Sequence, residues 1–192
     1  MSEVSERLNA TELRAALENE IVIVDETEST NDLVWAAFER GASEGLVVFA
    51  EHQTKGRGQY GRTWESAPRL GLWFSLLLQP AMSLRESPKL TSMIAQTVAA
   101  TIADQTGCMP TIKPPNDIYL SGRKVAGVLV EGRTASDGSY VAVAGIGINV
   151  NQAIDDFPQP LRETAGSLAM VTGKQISREK LAIALLHRLS SR

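Results

Sequence analysis

The segment Lys55–Arg62 is the sequence feature that most constrains the fold and function of this chain. It places three glycines and three cations within eight residues, shortly after the apolar run Leu46–Ala50. Glycine lets a backbone approach a ligand closely or adopt a positive φ, and arginine forms paired hydrogen bonds with carboxylates and phosphates. The spacing alone fits either a solvated basic loop or a loop that binds an anion.

The glycines of this segment also form G-x-G-x-x-G, the pattern of dinucleotide-binding proteins. That pattern needs a helix that begins at the glycines, because the helix N-terminus receives the pyrophosphate. Here Pro68 and Gly71 interrupt any helix, and the next regular segment, Leu72–Leu78, has the composition of a strand. The conserved patterns of protein kinases do not occur either. The sequence therefore argues against both nucleotide-binding interpretations.

Composition narrows the class of protein further. With 19 basic and 22 acidic residues the net charge is −3, so DNA binding is not expected from bulk charge. The single cysteine, Cys108, excludes an internal disulfide, and two histidines do not indicate a protein-bound metal site. The polar N-terminus and the short apolar runs predict a cytoplasmic protein with no membrane partner.

Helix and strand signals alternate along the chain and predict an α+β fold. Helices are expected to begin near Asn9, Ser29, Ser87 and Ser177, the last one running to the C-terminus. The strand segments are Ile21–Val24, Leu46–Ala50, Leu72–Leu78, Thr111–Lys113, Ile118–Leu120, Lys124–Glu131 and Tyr140–Asn149. Hairpin signals between the later strands favour a mixed, largely antiparallel sheet with packed helices, in one domain over residues 1–192.

Polar clusters lie where several of these strands end, so that their loops can converge on one site. The clusters are Ser29–Asn31, Gln53–Arg62, Lys113–Asp117, Lys124–Glu131 and Gly145–Asn149. Each also has an ordinary structural explanation: Ser29 and Thr30 can cap a helix, the proline segment can form a simple turn, and Lys124 can be solvated. Small residues within strands can leave room for a ligand on the sheet.

Taken together, these clusters resemble those of biotin protein ligases in order and spacing, from about residue 20 to 151. The matching motifs are Ser29-Thr30-Asn31, Gln53-x-x-Gly56-Arg57-Gly58-x-x-Gly61-Arg62-x-Trp64, Lys113-x-Pro115-Asn116-Asp117, Lys124-Val125-Ala126-Gly127-Val128-Leu129-Val130-Glu131 and Gly145-Ile146-Gly147-Ile148-Asn149. The resemblance implies the catalytic-domain fold of biotin and lipoate ligases, which is similar to that of class II synthetases. It also implies that biotin and ATP form biotinyl-5′-AMP, which then acylates one lysine of a biotin carboxyl carrier protein or domain.

The resemblance further implies roles for individual residues. Arg57 and Lys124 would neutralise the carboxylate and the phosphate, with Mg²⁺ carried on ATP, and Asp117 would orient or deprotonate the acceptor lysine. The residues expected to bind biotin are Ser29, Thr30, Asn31, Gln53, Gly56, Arg57, Gly58, Gln59, Lys124 and Gly127. The residues expected to bind ATP are Arg57, Arg62, Trp64, Asn116, Lys124 and Asn149. Residues 54–66 would order over the intermediate and exclude water. Trp64 could equally cover the ligand or anchor the core.

Several features depart from the family pattern. Pro114 stands in place of a tryptophan, and Gln59 stands where many members have arginine. No helix-turn-helix is expected before the first helix. The sequence ends where the family usually continues into a small C-terminal domain. Because that domain would help to hold ATP and the acceptor, we expect adenylation to survive better than transfer. Two rival functions stay open: a lipoate or octanoyl ligase of the same fold, and a biotin-binding protein that only adenylates or does not catalyse. Sheet-edge pairing into a homodimer is also open.

Overall fold

The computed structural model describes residues 6–190, which contain five α-helices and seven β-strands. The helices are α1 (Ala10–Ala16), α2 (Thr30–Glu39), α3 (Ser87–Thr106), α4 (Leu168–Thr172) and α5 (Arg178–Ser190). The strands are β1 (Ile21–Thr27), β2 (Val47–Gln53), β3 (Leu72–Leu78), β4 (Thr111–Lys113), β5 (Asp117–Leu120), β6 (Arg123–Thr134) and β7 (Tyr140–Ile148). The extreme N-terminus and the last two residues of the predicted C-terminal helix lie outside the described residues. None of the helices within 6–190 is long and apolar enough to cross a membrane.

The seven described strands form one sheet in the order β1-β2-β3-β7-β6-β5-β4. Strands β1 and β2 run parallel, because α2 connects them as a crossover. The other neighbouring pairs among the described strands are antiparallel. The predicted α+β fold with a mixed, largely antiparallel sheet is confirmed.

The meander from β4 to β7 forms because its turns contain residues that accept a positive φ. Ser121 and Gly122 have φ values of 49° and 78° and join β5 to β6. Gly138 has a φ of 86°, and the Asp137 carboxylate beside it accepts the Ser139 N–H at 2.9 Å. Such turns match the twist of antiparallel strands and bring β6 directly beside β7.

Helices cover both faces of the sheet. Helices α3 and α5 bury residues such as Val98 and Leu185 in the larger core. Helix α2 buries Val34 and Trp35 on the opposite face against alternate residues of the central strands, including Val143. This alternation follows from the two-residue period of side chains along a strand. The polar residues that begin α2 are thereby fixed at one end of the sheet.

A buried ion pair, which the sequence did not predict, fixes the base of the loop between β2 and β3. Arg178 Nη1 lies 2.6 Å from Glu51 Oε2, and both side chains are only 3% exposed. Arg178 also donates to the Gly71 carbonyl at 3.2 Å, and Glu51 Oε1 accepts the Leu8 N–H at 2.5 Å. Helix α5 therefore holds both ends of the loop that carries the glycines and cations.

Candidate active site

A cavity of about 490 Å³ lies where the predicted polar clusters meet. The predicted site residues that line it are Ser29, Thr30, Asn31, Gln53, Arg57, Gly58, Gln59, Arg62, Trp64, Asn116, Asp117, Lys124, Gly127 and Asn149. Gly56 lies outside the lining. Its carbonyl accepts the Trp64 N–H at 2.9 Å, and a Cβ at this position would lie 2.4 Å from the Trp64 carbonyl oxygen. Gly56 therefore lets the two arms of the loop pair closely.

One end of the cavity is a network of hydroxyls and amides. Gln53 Oε1 accepts from the Thr30 backbone N–H at 2.8 Å and from Thr30 Oγ1 at 3.1 Å. Thr30 Oγ1 lies 2.6 Å from Ser75 Oγ, which donates to Asn31 Oδ1 at 2.5 Å. The network joins β2, β3 and the first turn of α2, and it fixes the orientation of each of these side chains at the cavity.

Two residues at this end have polar groups that the protein itself does not satisfy. Ser29 is the N-cap residue of α2, yet within the described chain its side chain makes no capping hydrogen bond, so helix capping does not account for it. Asn31 Nδ2 is buried and has no partner among the described residues. A buried donor without an acceptor is costly, and a carbonyl oxygen of a ligand in the cavity is the kind of group that would satisfy it.

Trp64 covers the middle of the sheet beside the cavity. A Cβ on Gly147 would lie 2.5 Å from its indole, and one on Gly127 would lie 3.0 Å from it. Gly145 similarly makes room for Asn31, whose Oδ1 would lie 2.5 Å from an added Cβ. These small residues line the cavity, and they also make room for protein side chains, because Trp64 and Asn31 lie directly against them. Trp64 is both a packed residue and part of the cavity wall.

Lys124 and Asp117 form an ion pair at the cavity wall. Lys124 Nζ lies 2.6 Å from Asp117 Oδ1, and the side chains are 29% and 16% exposed. The Lys124 ammonium also lies 5.3 Å from the centre of the Trp64 ring, a distance typical of a cation–π contact. The solvated alternative for Lys124 is therefore wrong, and a partly desolvated cation faces the cavity.

Arg57 lines the cavity but is held by two carboxylates from outside the lining. Its Nη1 and Nη2 each lie 2.7 Å from an oxygen of Asp32, and its Nη2 lies 3.2 Å from Glu131 Oε1. Hydrogen bonding to Arg57 lowers the pKa of Asp32, and the same bond raises the pKa of Arg57 above its ordinary value. Both groups are charged at neutral pH, so this guanidinium already has two anionic partners.

The two asparagines predicted to contact the nucleotide hold the protein backbone. Asn116 Nδ2 donates to the Val128 carbonyl at 3.0 Å, which fixes the β4–β5 turn against β6. Asn149 Nδ2 donates to the Gly166 carbonyl at 3.0 Å, and its Oδ1 accepts from Gln152 at 3.2 Å. Both residues line the cavity, and these hydrogen bonds hold the backbone segments that form its wall. Arg62, in contrast, is exposed at the cavity and has no ion-pair partner within residues 6–190.

Three residues of this site were missed in the sequence, although signals for them exist. Ser75 is the single polar residue in the apolar strand Leu72–Leu78, and such an interruption in a buried strand indicates a hydrogen-bonding role. Asp32 directly follows the Ser29–Asn31 motif, and Glu131 ends the lysine motif. Their joint role depends on the distance between α2 and β6, which spacing along the chain does not give.

The described residues contain no group of three His, Cys, Asp or Glu side chains that could hold a metal ion. The donors at the cavity, Asn31 Nδ2, Lys124 and Arg62, suit a ligand with carbonyl and anionic groups.

This fold and set of motifs are those of a known family. Residues 23–151 match the biotin/lipoate A/B protein ligase family, and the chain belongs to it. A relative in Bacillus subtilis, the bifunctional ligase/repressor BirA, is 37% identical over 177 residues, which cover 90% of this chain and 54% of that protein. The biotin–[acetyl-CoA-carboxylase] ligase of Mycobacterium tuberculosis is 32% identical over 180 residues, which cover 88% of this chain and 62% of that protein.

A solved structure shows the same fold. The biotin protein ligase from Aquifex aeolicus, in complex with biotin and ATP, is 34% identical and superimposes with a TM-score of 0.75, covering 91% of this chain and 70% of that chain. The resemblance to biotin protein ligases inferred from the motifs is confirmed. The chain spans about half the length of the Bacillus relative and less than two thirds of the Mycobacterium one.

Proposed function

We propose that this chain activates biotin with ATP to give biotinyl-5′-AMP and transfers the biotinyl group to a lysine of a biotin carboxyl carrier domain. The observation that carries the proposal is the single cavity that joins the polar network around Thr30 to the Lys124–Asp117 pair. The Mycobacterium relative and the Aquifex structure named above are biotin ligases, and the latter is a complex with biotin and ATP. Within this family, those names favour biotin over lipoate.

The polar end of the cavity suits the ureido ring of biotin. A ureido group presents one carbonyl acceptor and two N–H donors. Ser29 and Asn31 Nδ2, which has no partner among the described residues, offer donors for the carbonyl, and the Thr30 hydroxyl, which Gln53 holds in place, offers an oxygen for an N–H group. Trp64 supplies apolar wall for the rest of the molecule.

The cationic side of the cavity suits the reacting anions. In the first step, an oxygen of the biotin carboxylate attacks the α-phosphorus of ATP and pyrophosphate leaves. Two anions repel each other as they approach, so fixed cations lower the barrier to this step. Lys124 and the exposed Arg62 supply that charge in our proposal, and Mg²⁺ enters with ATP as part of the substrate.

Asp117 is proposed to act in the second step. The incoming lysine amine attacks the carbonyl carbon of the mixed anhydride, loses a proton and displaces AMP. A lysine amine has an ordinary pKa near 10.4 and is mostly protonated at neutral pH. The Asp117 carboxylate, which lies against Lys124 at the cavity wall, can orient the ammonium form and accept its proton.

The test measures the two steps separately. Pyrophosphate release should require biotin and should not be supported by lipoate or octanoate. Intact-mass analysis of a carrier domain should then show one added biotinyl group. Pyrophosphate release without carrier modification would leave the adenylation-only alternative, and activity with lipoate alone would replace biotin as the substrate.

Three further expectations accompany this function as proposals. The chain is proposed to act as one catalytic unit over residues 1–192, in the cytoplasm, where a biotin carboxyl carrier would be its partner. Strands β1 and β4 each pair on one side only among the described strands, and we propose the longer one, β1, as the edge at which a homodimer would add a strand. Size-exclusion chromatography with light scattering tests the dimer.

A further inference from the structure

The glycine–arginine loop is held to the rest of the protein by a three-residue ion cluster, which we call the carboxylate clasp: Arg57 with Asp32 and Glu131. Asp32 lies in the first turn of α2 and receives two hydrogen bonds of 2.7 Å, one from each terminal nitrogen of Arg57. Glu131 lies in β6 and receives a third, at 3.2 Å. The clasp therefore joins the loop to a helix and a strand at once.

One carboxylate of the clasp, Glu131, is itself held in place. Glu131 Oε2 accepts the indole N–H of Trp35 at 3.1 Å, and Trp35 is buried in the core beneath α2. The guanidinium of Arg133 lies 4.1 Å from the centre of the Trp35 ring and is paired with Glu39 at 3.2 Å. Because Trp35 is packed in the core, its indole fixes the Glu131 carboxylate against α2, the helix that also carries Asp32.

The charges of the clasp change what Arg57 can contribute. One guanidinium faces two carboxylates, so the cluster brings no net positive charge to the cavity. Its N–H groups are also largely used: within the described residues only Nε–H and one Nη1–H of Arg57 have no acceptor. Arg57 is thus better suited to holding the loop than to neutralising a carboxylate and a phosphate.

We propose that Asp32 and Glu131 are positioning residues that keep the loop closed through Arg57, and that they thereby set how long the acyl-adenylate stays enclosed. The second part of this inference rests on the proposed function. An acyl-adenylate that escapes or is hydrolysed can no longer be transferred to the acceptor. A more stable closed loop should therefore raise the yield of the second step.

The first experiment needs no ligand and tests the clasp alone. Trypsin cleavage after Arg62 is followed by mass spectrometry in Asp32→Asn, in Glu131→Gln and in the matched control Glu28→Gln. The control removes the exposed Lys55–Glu28 pair of 2.7 Å, which tethers the same loop with one contact. Cleavage should be about five- to tenfold faster in the clasp variants and within about twofold of wild type in the control.

The second experiment measures the consequence for catalysis. With biotin and ATP but no acceptor, wild type should release about one pyrophosphate per protein and then slow, whereas Asp32→Asn should continue through several turnovers as the adenylate escapes. Asp32→Glu should restore part of the retention, which a purely structural role would not predict. Melting temperatures identify any variant that fails to fold. Such a variant is replaced by Arg57→Lys, which keeps the positive charge but loses the paired hydrogen bonds.

The outcomes separate the clasp from the proposed function. Equal cleavage of wild type and clasp variants, or equal acceleration in Glu28→Gln, overturns the inference. Faster cleavage in the clasp variants together with unchanged adenylate retention overturns its catalytic part. If wild type releases no pyrophosphate with biotin, the proposed function fails, while the cleavage rates still decide whether the clasp closes the loop.

Discussion

The buried Glu51–Arg178 pair gives the sharpest prediction about stability. Replacing Arg178 by Met removes the partner of a carboxylate whose side chain is 3% exposed. It also removes the hydrogen bond to the Gly71 carbonyl. Removing one partner of a buried ion pair strands the other charge and typically costs about 3–5 kcal/mol. For a chain of this size each kcal/mol lowers the melting temperature by about 2–4 °C, so we expect a loss of about 6–20 °C.

Thermal and urea unfolding of matched variants measure this loss. Lys89→Met is the control, because the Lys89–Glu86 pair is exposed and such pairs contribute less than about 1 kcal/mol. The double variant Glu51→Leu with Arg178→Met leaves no buried charge, so it should be more stable than the sum of the two single losses indicates. If Arg178→Met costs less than about 1 kcal/mol, or no more than the control, the buried pair does not hold the base of the loop.

Three further predictions concern the cavity and the carboxylate clasp. Lys124→Ala should slow pyrophosphate release about 100- to 1,000-fold while changing biotin affinity in calorimetry less than threefold, because the cation acts on the reacting anions; an equal loss in both would contradict this. Gly147→Ala should destabilise the fold by about 1–3 kcal/mol in urea unfolding and weaken biotin binding, since its Cβ would lie 2.5 Å from the Trp64 indole; unchanged stability and affinity would show that Trp64 moves freely. Because Arg57 lowers the pKa of Asp32, the stabilisation by the clasp is complete above the ordinary value of 3.8 and is lost as pH falls through the lowered pKa. A ¹³C titration of the Asp32 carboxyl should therefore have its midpoint below 3.8, and a midpoint at 3.8 would refute the contact.

Much of the fold was predictable because local signals agree with the tertiary structure. Predicted strands such as Leu72–Leu78 coincide with observed ones, and the turn at Ser121 uses the chemistry expected of a hairpin. The short helix α4, Leu168–Thr172, was missed because five residues are too few to show a helical period. Strand β6 continues to Thr134, beyond the apolar pattern, because pairing with β7 extends it.

The candidate site was predictable as a set of residues but not as a set of contacts. Motif order correctly grouped Thr30, Gln53 and Lys124 around one cavity. It did not show that Arg57 faces two carboxylates, since those lie 25 and 74 positions away along the chain. Nor did it show that Asn149 holds the Gly166 carbonyl. Side-chain partners across elements depend on packing geometry, which spacing along the sequence does not specify.

The origin of one oxygen atom tests the proposed chemistry most directly. The chain is incubated with a carrier domain, ATP, Mg²⁺ and biotin labelled with ¹⁸O at both carboxyl oxygens. Attack of the carboxylate on the α-phosphorus followed by lysine attack on the carbonyl carbon leaves one label in AMP and one in the new amide. Mass spectrometry should therefore find AMP carrying one ¹⁸O and a carrier carrying one labelled biotinyl group. Unlabelled AMP beside a biotinylated carrier, or no AMP that depends on biotin, would contradict formation of biotinyl-5′-AMP in this cavity.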